Sequence, residues 1–139
     1  MALEWTLLTE LEPPISVTVA EGTAITKGAL LKLNDPFTAT TSGGDIDSVI
    51  GIAAESKIAS DGNTQLAVYL RGIFKCTAGA SITVGDLLMT NSSTGAANEV
   101  IPATAAAFKS QIFAAALETA SDTETLKVLL NVAIGGTGT

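Results

Sequence analysis

The chain has 139 residues, of which 47% are hydrophobic and 15% are charged, and its net charge is −7. This length fits one domain, and a surface with few charges is poorly protected against association, so we expect a partner to cover part of it. The sequence has no cluster of Lys and Arg, which argues against binding to nucleic acid or to an anionic membrane surface. It also has no apolar run near the roughly 18 residues of a membrane span.

Residues 1–14 form a distinct segment, the N-terminal arm, which contains acids and lacks the basic region of a secretory signal. The arm holds the only Trp of the chain, and its two consecutive prolines end regular structure. Because exposed Trp and Leu side chains favour association, we expect the arm to pack either on its own body or on another chain. The candidate contact residues of the arm are Leu3, Trp5, Leu7, Leu8, Leu11, Pro13 and Pro14.

A repeat organises the rest of the chain. GTAITKGALLKLN at 22–34 recurs as GASITVGDLLMTN at 79–91, and seven of the thirteen positions match. The similarity continues downstream, where both copies contain Ala-Ser-Asp before an apolar stretch. Two copies are too few for a solenoid. We therefore predict one β-rich domain over residues 15–139, with pseudo-repeats at about 15–75 and 76–135.

Each copy has the pattern of β-strands. ISVTV at 15–19 alternates apolar and polar residues, as a half-buried strand does, and similar patterns occur at 65–74 and 125–134. Gly28 and Gly85 each precede a Leu pair, which predicts a tight turn at positive φ before a buried strand. The only predicted helix is one or two turns in the Ala-rich stretch 103–111. The predicted fold class is mainly β, a compact single-domain β-barrel with an internal pseudo-repeat and at most one short helix.

Few residues of the sequence could carry chemistry. The chain has no His, so Cys76 lacks the usual activating base, and we interpret it as a structural cysteine of a protein that folds in a reducing cytosol.

Three other motifs are weak candidates. Asp45 and Asp47 stand in a Gly-rich loop and could contribute to a calcium site, but we favour an ordinary solvated loop. Glu55 and Glu118 occupy near-equivalent places in the two copies, either as an acid–base pair or, as we favour, as polar residues that close strands. The glycines match neither a phosphate-binding loop nor a dinucleotide-binding motif. We predict no catalytic residue, no cofactor and no metal, and hence not an enzyme.

The order of these motifs resembles a known family. G-x-x-I-x-x-G-x-L-L, then IGIAAESKIASDGNTQLAVYLRGIFKC, AGASITVGDLLM and FAAALETASDTETLKVLLN, is similar to the capsid decoration (cement) proteins of tailed bacteriophages, lambda head-decoration-like, over roughly residues 15–134. The resemblance implies a β-tulip-like domain that is made in the host cytoplasm. It also implies homotrimers that bind the major capsid protein on the outer surface of the virion head and stabilise the lattice.

In such proteins the N-terminal arm reaches onto the lattice and can add a strand to it. The resemblance thus makes the seven arm residues candidate capsid contacts, and we expect removal of residues 2–14 to weaken binding while the body stays folded. Two alternatives stay open: another virion module, such as a tail-tube or fibre-base protein, and a non-catalytic accessory β-barrel of an enzyme.

Overall fold

The computed structural model of the chain describes residues 4–35, 38–41, 49–91, 98–103 and 112–131. All regular structure in these residues is β, which confirms the predicted fold class; the helix expected at 103–111 lies outside them apart from Ala103. The strands are β1 Thr6–Glu10, β2 Ile15–Val19, β3 Leu30–Asp35, β4 Thr38–Thr41, β5 Val49–Ala53, β6 Gln65–Tyr69, β7 Arg71–Ala78, β8 Leu87–Thr90, β9 Glu99–Pro102, β10 Ala114–Ala116 and β11 Thr125–Asn131.

Strands β2 to β6 close into a five-stranded barrel, here called the N-barrel, in the order β2-β4-β3-β5-β6. Strand β2 pairs with β4 in parallel and with β6 in antiparallel orientation, and the other pairings are antiparallel. Closure leaves no open edge on these strands, which removes a common site of unwanted strand pairing.

Strands β7 to β11 repeat this plan. Their order is β7-β11-β10-β8-β9, and a parallel pairing of β7 with β9 completes the circuit, here called the C-ring. Each pairing of the N-barrel has a counterpart of the same orientation in the C-ring, with β7 in the place of β2 and β11 in the place of β6. Because β7 begins at Arg71, we place the boundary between the halves at Leu70.

The turns correspond as well. Gly28 and Gly85 have φ values of 90° and 92°, as their position before the Leu pairs predicted. An isolated bridge joins Ile25 to Lys57 in the N-barrel, and its counterpart in the C-ring joins Ile82 to Ala120. Lys57 therefore corresponds to Ala120, and the repeated Ala-Ser-Asp is not structurally equivalent. The reason is loop length, since residues 58–64 separate the bridge from β6 whereas only 121–124 separate it from β11.

Two clusters of buried apolar side chains form the core. One fills the N-barrel, and the other fills the C-ring but also takes in Leu30, Val49 and Ile52 from the first half. Strand β5 is buried at every residue because each of its faces meets one cluster. The two halves thus share apolar packing and form one body. The N-barrel cluster comprises Val17, Val19, Ile25, Leu31, Ala39, Ile50, Ala53, Leu66 and Val68.

Candidate functional site

The N-terminal arm is part of the body rather than a free extension. Its strand β1 pairs antiparallel with β7, from Thr6 opposite Lys75 to Glu10 opposite Gly72. The register shifts between Leu7 and Thr9, which leaves Leu8 as a bulge. Within the described residues β1 has β7 as its only strand neighbour, so no described strand pairs with its other edge.

Trp5 fixes the start of the arm. Its side chain is only 4% exposed, and its ring packs against Phe74 and Phe113 with centroid distances of 5.9 and 5.6 Å. The indole Nε1 donates a hydrogen bond of 2.9 Å to the carbonyl oxygen of Asn98, as a buried Trp requires. The arm therefore packs on its own body, the first of the two expected alternatives, and the indole ring of Trp5 is not on the surface.

Backbone contacts tie the arm to both halves. The Trp5 amide donates to the Gly28 carbonyl over 2.8 Å, and a Cβ added at Gly28 would collide with the Trp5 carbonyl oxygen. Asn98, at a φ of 71°, accepts a 2.9 Å hydrogen bond from the Leu30 amide through Oδ1. Asn tolerates this left-handed conformation better than other non-Gly residues. The same Asn98 thus connects the arm, the N-barrel and the C-ring.

The other candidate contact residues are differently exposed. Leu7 is half-buried against the C-ring core and Pro14 is half-buried, whereas Leu8 and Leu11 are 45% and 48% exposed and Pro13 is also exposed. Leu3 lies outside the described residues. Of the described candidates, Leu8, Leu11 and Pro13 are therefore the ones whose side chains are exposed. They are followed by Ile15, which is also exposed but which the sequence analysis did not select, because it begins a strand that reads as half-buried.

A cleft of about 440 Å³ lies beside the arm, between β1 and the turn before β3. Tyr69 lies at this cleft, where burial, together with the charge of Glu10 and a hydrogen bond to it, raises the pKa of the phenol. A phenol that stays protonated serves here as a hydrogen-bond donor to the arm. The lining contains no nucleophile with an adjacent base: it consists of Glu4, Trp5, Thr6, Leu7, Lys27 and Tyr69.

The candidate reactive residues Cys76, Glu55 and Glu118 have structural roles. Cys76 is buried in the C-ring core, and desolvation raises the pKa of its thiol to about 12, so the reactive thiolate is not formed. Glu55 accepts a hydrogen bond from the Ala67 amide, and Glu118 accepts one from the Lys127 amide, both over 2.9 Å. Each glutamate follows the end of a strand, β5 or β10, and binds the next strand, β6 or β11, which agrees with the strand-closing interpretation favoured above.

The remaining candidates of the sequence analysis are the two aspartates of the Gly-rich loop. Asp45 and Asp47 lie outside the described residues. In the described segments no group of three or more His, Cys, Asp or Glu side chains is placed to hold a metal ion. The same segments include no helix of the length and hydropathy needed to cross a membrane.

Sequence analysis missed Lys57, whose ammonium group is completely buried. Its Nζ donates to the carbonyl oxygens of Glu21, Thr23 and Ile58 over 2.5, 3.2 and 3.2 Å and lies 3.3 Å from a carboxylate oxygen of Asp61. Lys57 thereby joins two loops at one end of the N-barrel. The sequence carried no signal for this role, because the repeated Ala-Ser-Asp aligns Ala120 with Ala59 rather than with Lys57.

Comparison with known proteins relates this chain to a protein family and to a solved structure. The sequence pattern of the phage cement protein family matches residues 11–132. No curated protein matches the chain. The crystal structure of the head fiber gp8.5 N base of bacteriophage phi29 is similar, with a TM-score of 0.50 and 18% identity over 85% of this chain and 92% of that chain, which indicates a shared fold. Because the family match spans most of its length, this chain belongs to the phage cement protein family and is a structural protein of the phage head, located on the capsid surface.

Proposed function

We propose that the chain binds the outer surface of the head as a homotrimer, contacts the major capsid protein and stabilises the capsid lattice without catalysing a reaction. Membership of the cement protein family supports this proposal. The net charge of −7 favours the outer surface, because packaged DNA phosphates would repel an acidic protein on the inner side. Trimeric binding at many sites multiplies a modest affinity at each site.

The observation that carries the proposal is the open edge of β1. Trp5 anchors the arm from one side, whereas no strand in the described part of the chain pairs with the other edge of β1, and the side chains of Leu8 and Leu11 are exposed. Such an edge can accept a strand of a partner, with backbone hydrogen bonds for affinity and apolar side chains for register. We propose that Leu8, Leu11 and Pro13 contact the shell, while Trp5 holds the strand in position.

Binding of purified protein to undecorated, expanded heads tests this proposal. We expect saturable binding at micromolar concentration and a higher temperature of head disruption. The double variant Leu8→Asp, Leu11→Asp should bind at least about tenfold more weakly, because it places unpaired charges in an apolar contact. The matched control is Leu33→Asp, Ile58→Asp, which changes two exposed apolar residues of the N-barrel.

Wild-type protein that does not bind heads at this concentration, or that is found on tails by electron microscopy, would contradict the proposal. Equal binding by the arm variant and the wild type would contradict the contact role of the arm. Point substitutions are preferable to removal of residues 2–14, because the deletion also removes the core residue Trp5 and so tests folding together with binding.

A further inference from the structure

The outer face of β7 and β11 has an unusual arrangement of charge. Along β7 the exposed or half-buried positions alternate with buried ones, and β11 follows the same alternation. The pairing register places Lys75 directly opposite Lys127, with Ile73 opposite Leu129 in the next row. This surface is here called the C-face, and its residues are Arg71, Ile73, Lys75, Thr77, Thr125, Lys127, Leu129 and Asn131.

Like charges that face each other across two strands destabilise a sheet. Among the described residues no carboxylate forms an ion pair with Arg71, Lys75 or Lys127. The nearby Glu118 is hydrogen-bonded to the Lys127 backbone amide, rather than to its ammonium group. Within the described residues the two like charges of Lys75 and Lys127 are therefore uncompensated.

The C-face also concentrates the positive charge of an acidic protein. Four Lys or Arg side chains are exposed among the described residues, and three of them, Arg71, Lys75 and Lys127, lie on this face. The fold does not require them, because the corresponding pair on the N-barrel is Ser16 opposite Ala67. The positive charges are therefore specific to the C-face and are not required by the strand arrangement that the two halves share.

An apolar row crosses the sheet between the cations. The register continues from Ile73 and Leu129 to Ala115 of β10 and then to Leu87 of β8, whose side chain is 53% exposed. An apolar centre bordered by charged side chains is the usual composition of a protein–protein interface. The C-face therefore has the features of a contact surface for an acidic partner.

We propose that the C-face binds an acidic surface of a second copy of this chain and so forms the subunit contact of the homotrimer. The inference rests on the trimer of the proposed function. Charge complementarity argues for a second copy, because acids outnumber Lys and Arg by fourteen to seven in the chain. The exposed carboxylates away from the C-face strands are Glu4, Glu10, Glu21, Glu55, Asp61, Glu118, Asp122 and Glu124.

The sign of the charge also determines the symmetry. A two-fold contact would place the same patch of both subunits together, and the Lys75–Lys127 pairs would then repel each other. A head-to-tail contact, in which the C-face meets a different, acidic surface of the next subunit, avoids this repulsion, and it forms a closed ring when three such rotations complete a turn. The C-face is therefore a heterologous interface, which is consistent with a cyclic trimer.

Sedimentation velocity of the purified full chain, without heads, tests this inference. We expect a trimer at micromolar concentration that dissociates at high salt, since salt screens exposed charge pairs. Lys75→Glu should raise the dissociation constant at least about tenfold, because it places like charges together in the interface. Lys75→Arg, which keeps the charge, and Lys27→Glu, which makes the same charge change off the C-face, should both leave the trimer intact.

Thermal melting of the same samples checks folding. Lys127→Gln is a second variant with a smaller change of charge, and it relieves the repulsion between residues 75 and 127 within the monomer. A monomeric wild type would overturn the inference. A Lys75→Glu variant that stays trimeric would also overturn the inference. If that trimeric variant no longer bound heads, the C-face would belong to the shell contact instead. If the wild type is a trimer and Lys75→Glu dissociates it, the inference is supported even when the wild type does not bind heads. Failure of the inference can therefore be distinguished from failure of the proposed function.

Discussion

The N-barrel and the C-ring have the same five pairings, the same positive-φ glycine before the second strand and the same glutamate hydrogen bond to the last strand. They differ in what is added to that plan. The C-ring receives Trp5 in its core and carries the cations of the C-face, whereas the N-barrel has the buried Lys57 and a longer loop. The shared features maintain the fold, and we assign function to the features that are not shared.

The largest expected difference concerns the arm. Trp5→Ala should destabilise the chain by about 3–5 kcal/mol, because it leaves a cavity beside Phe74 and Phe113 and removes the donor to Asn98. Urea unfolding measures this change. Thr6→Ala, at the exposed neighbouring position, should lie within about 0.5 kcal/mol of the wild type. Equal effects of the two substitutions would mean that the arm does not stabilise the C-ring.

The two turn glycines provide a matched pair. Gly85→Ala should cost about 1 kcal/mol, because an L-residue is strained at a φ of 92° while the added Cβ meets no atom within 4 Å. Gly28→Ala should cost about 1–3 kcal/mol more, since its Cβ would also collide with the Trp5 backbone and lie 2.9 Å from the Glu4 Cβ. Thermal unfolding of both variants measures the difference. Equal losses would show that the arm does not rest on the first turn.

The buried lysine distinguishes the loops of the two halves. Lys57→Met should destabilise the chain by about 1–3 kcal/mol, because three carbonyl oxygens lose a charged donor. Ala120→Ser, at the corresponding position of the C-ring, is the comparison variant. Amide hydrogen exchange should accelerate at Ser60, which donates to the Glu21 carbonyl, while the C-ring turn at Glu124 is unchanged. Acceleration in both turns would indicate global destabilisation instead.

The smallest expected effect is a dependence on pH. The hydrogen bond from the Asn63 amide, with a further contribution from Lys57, holds the pKa of Asp61 below its usual 3.8. Because the folded-state pKa is the lower one, Asp61 stabilises the fold above pH 3.8, and this contribution is lost as the pH falls through the folded-state value. The stability difference between wild type and Asp61→Asn should therefore shrink in acid. A difference that does not vary between pH 6 and pH 2 would contradict this assignment.

The sequence was sufficient for the β class, the turn glycines and the structural role of Glu55 and Glu118, because local conformation and repeat spacing determine these features. It could not show that Trp5 enters the core, since partners such as Phe74 and Phe113 are distant in sequence. The C-face was equally hidden. Its cations are scattered along the chain, and only the register of β7 with β11 brings Lys75 and Lys127 together.

A reconstruction of phage heads saturated with this protein, at a resolution that distinguishes strands, tests the central claim most directly. We expect trimers on the outer surface, with Leu8 and the edge of β1 that faces away from β7 against the shell and with the C-face between subunits. Protein density confined to tails, or trimers on heads with β1 turned away from the shell, would contradict it.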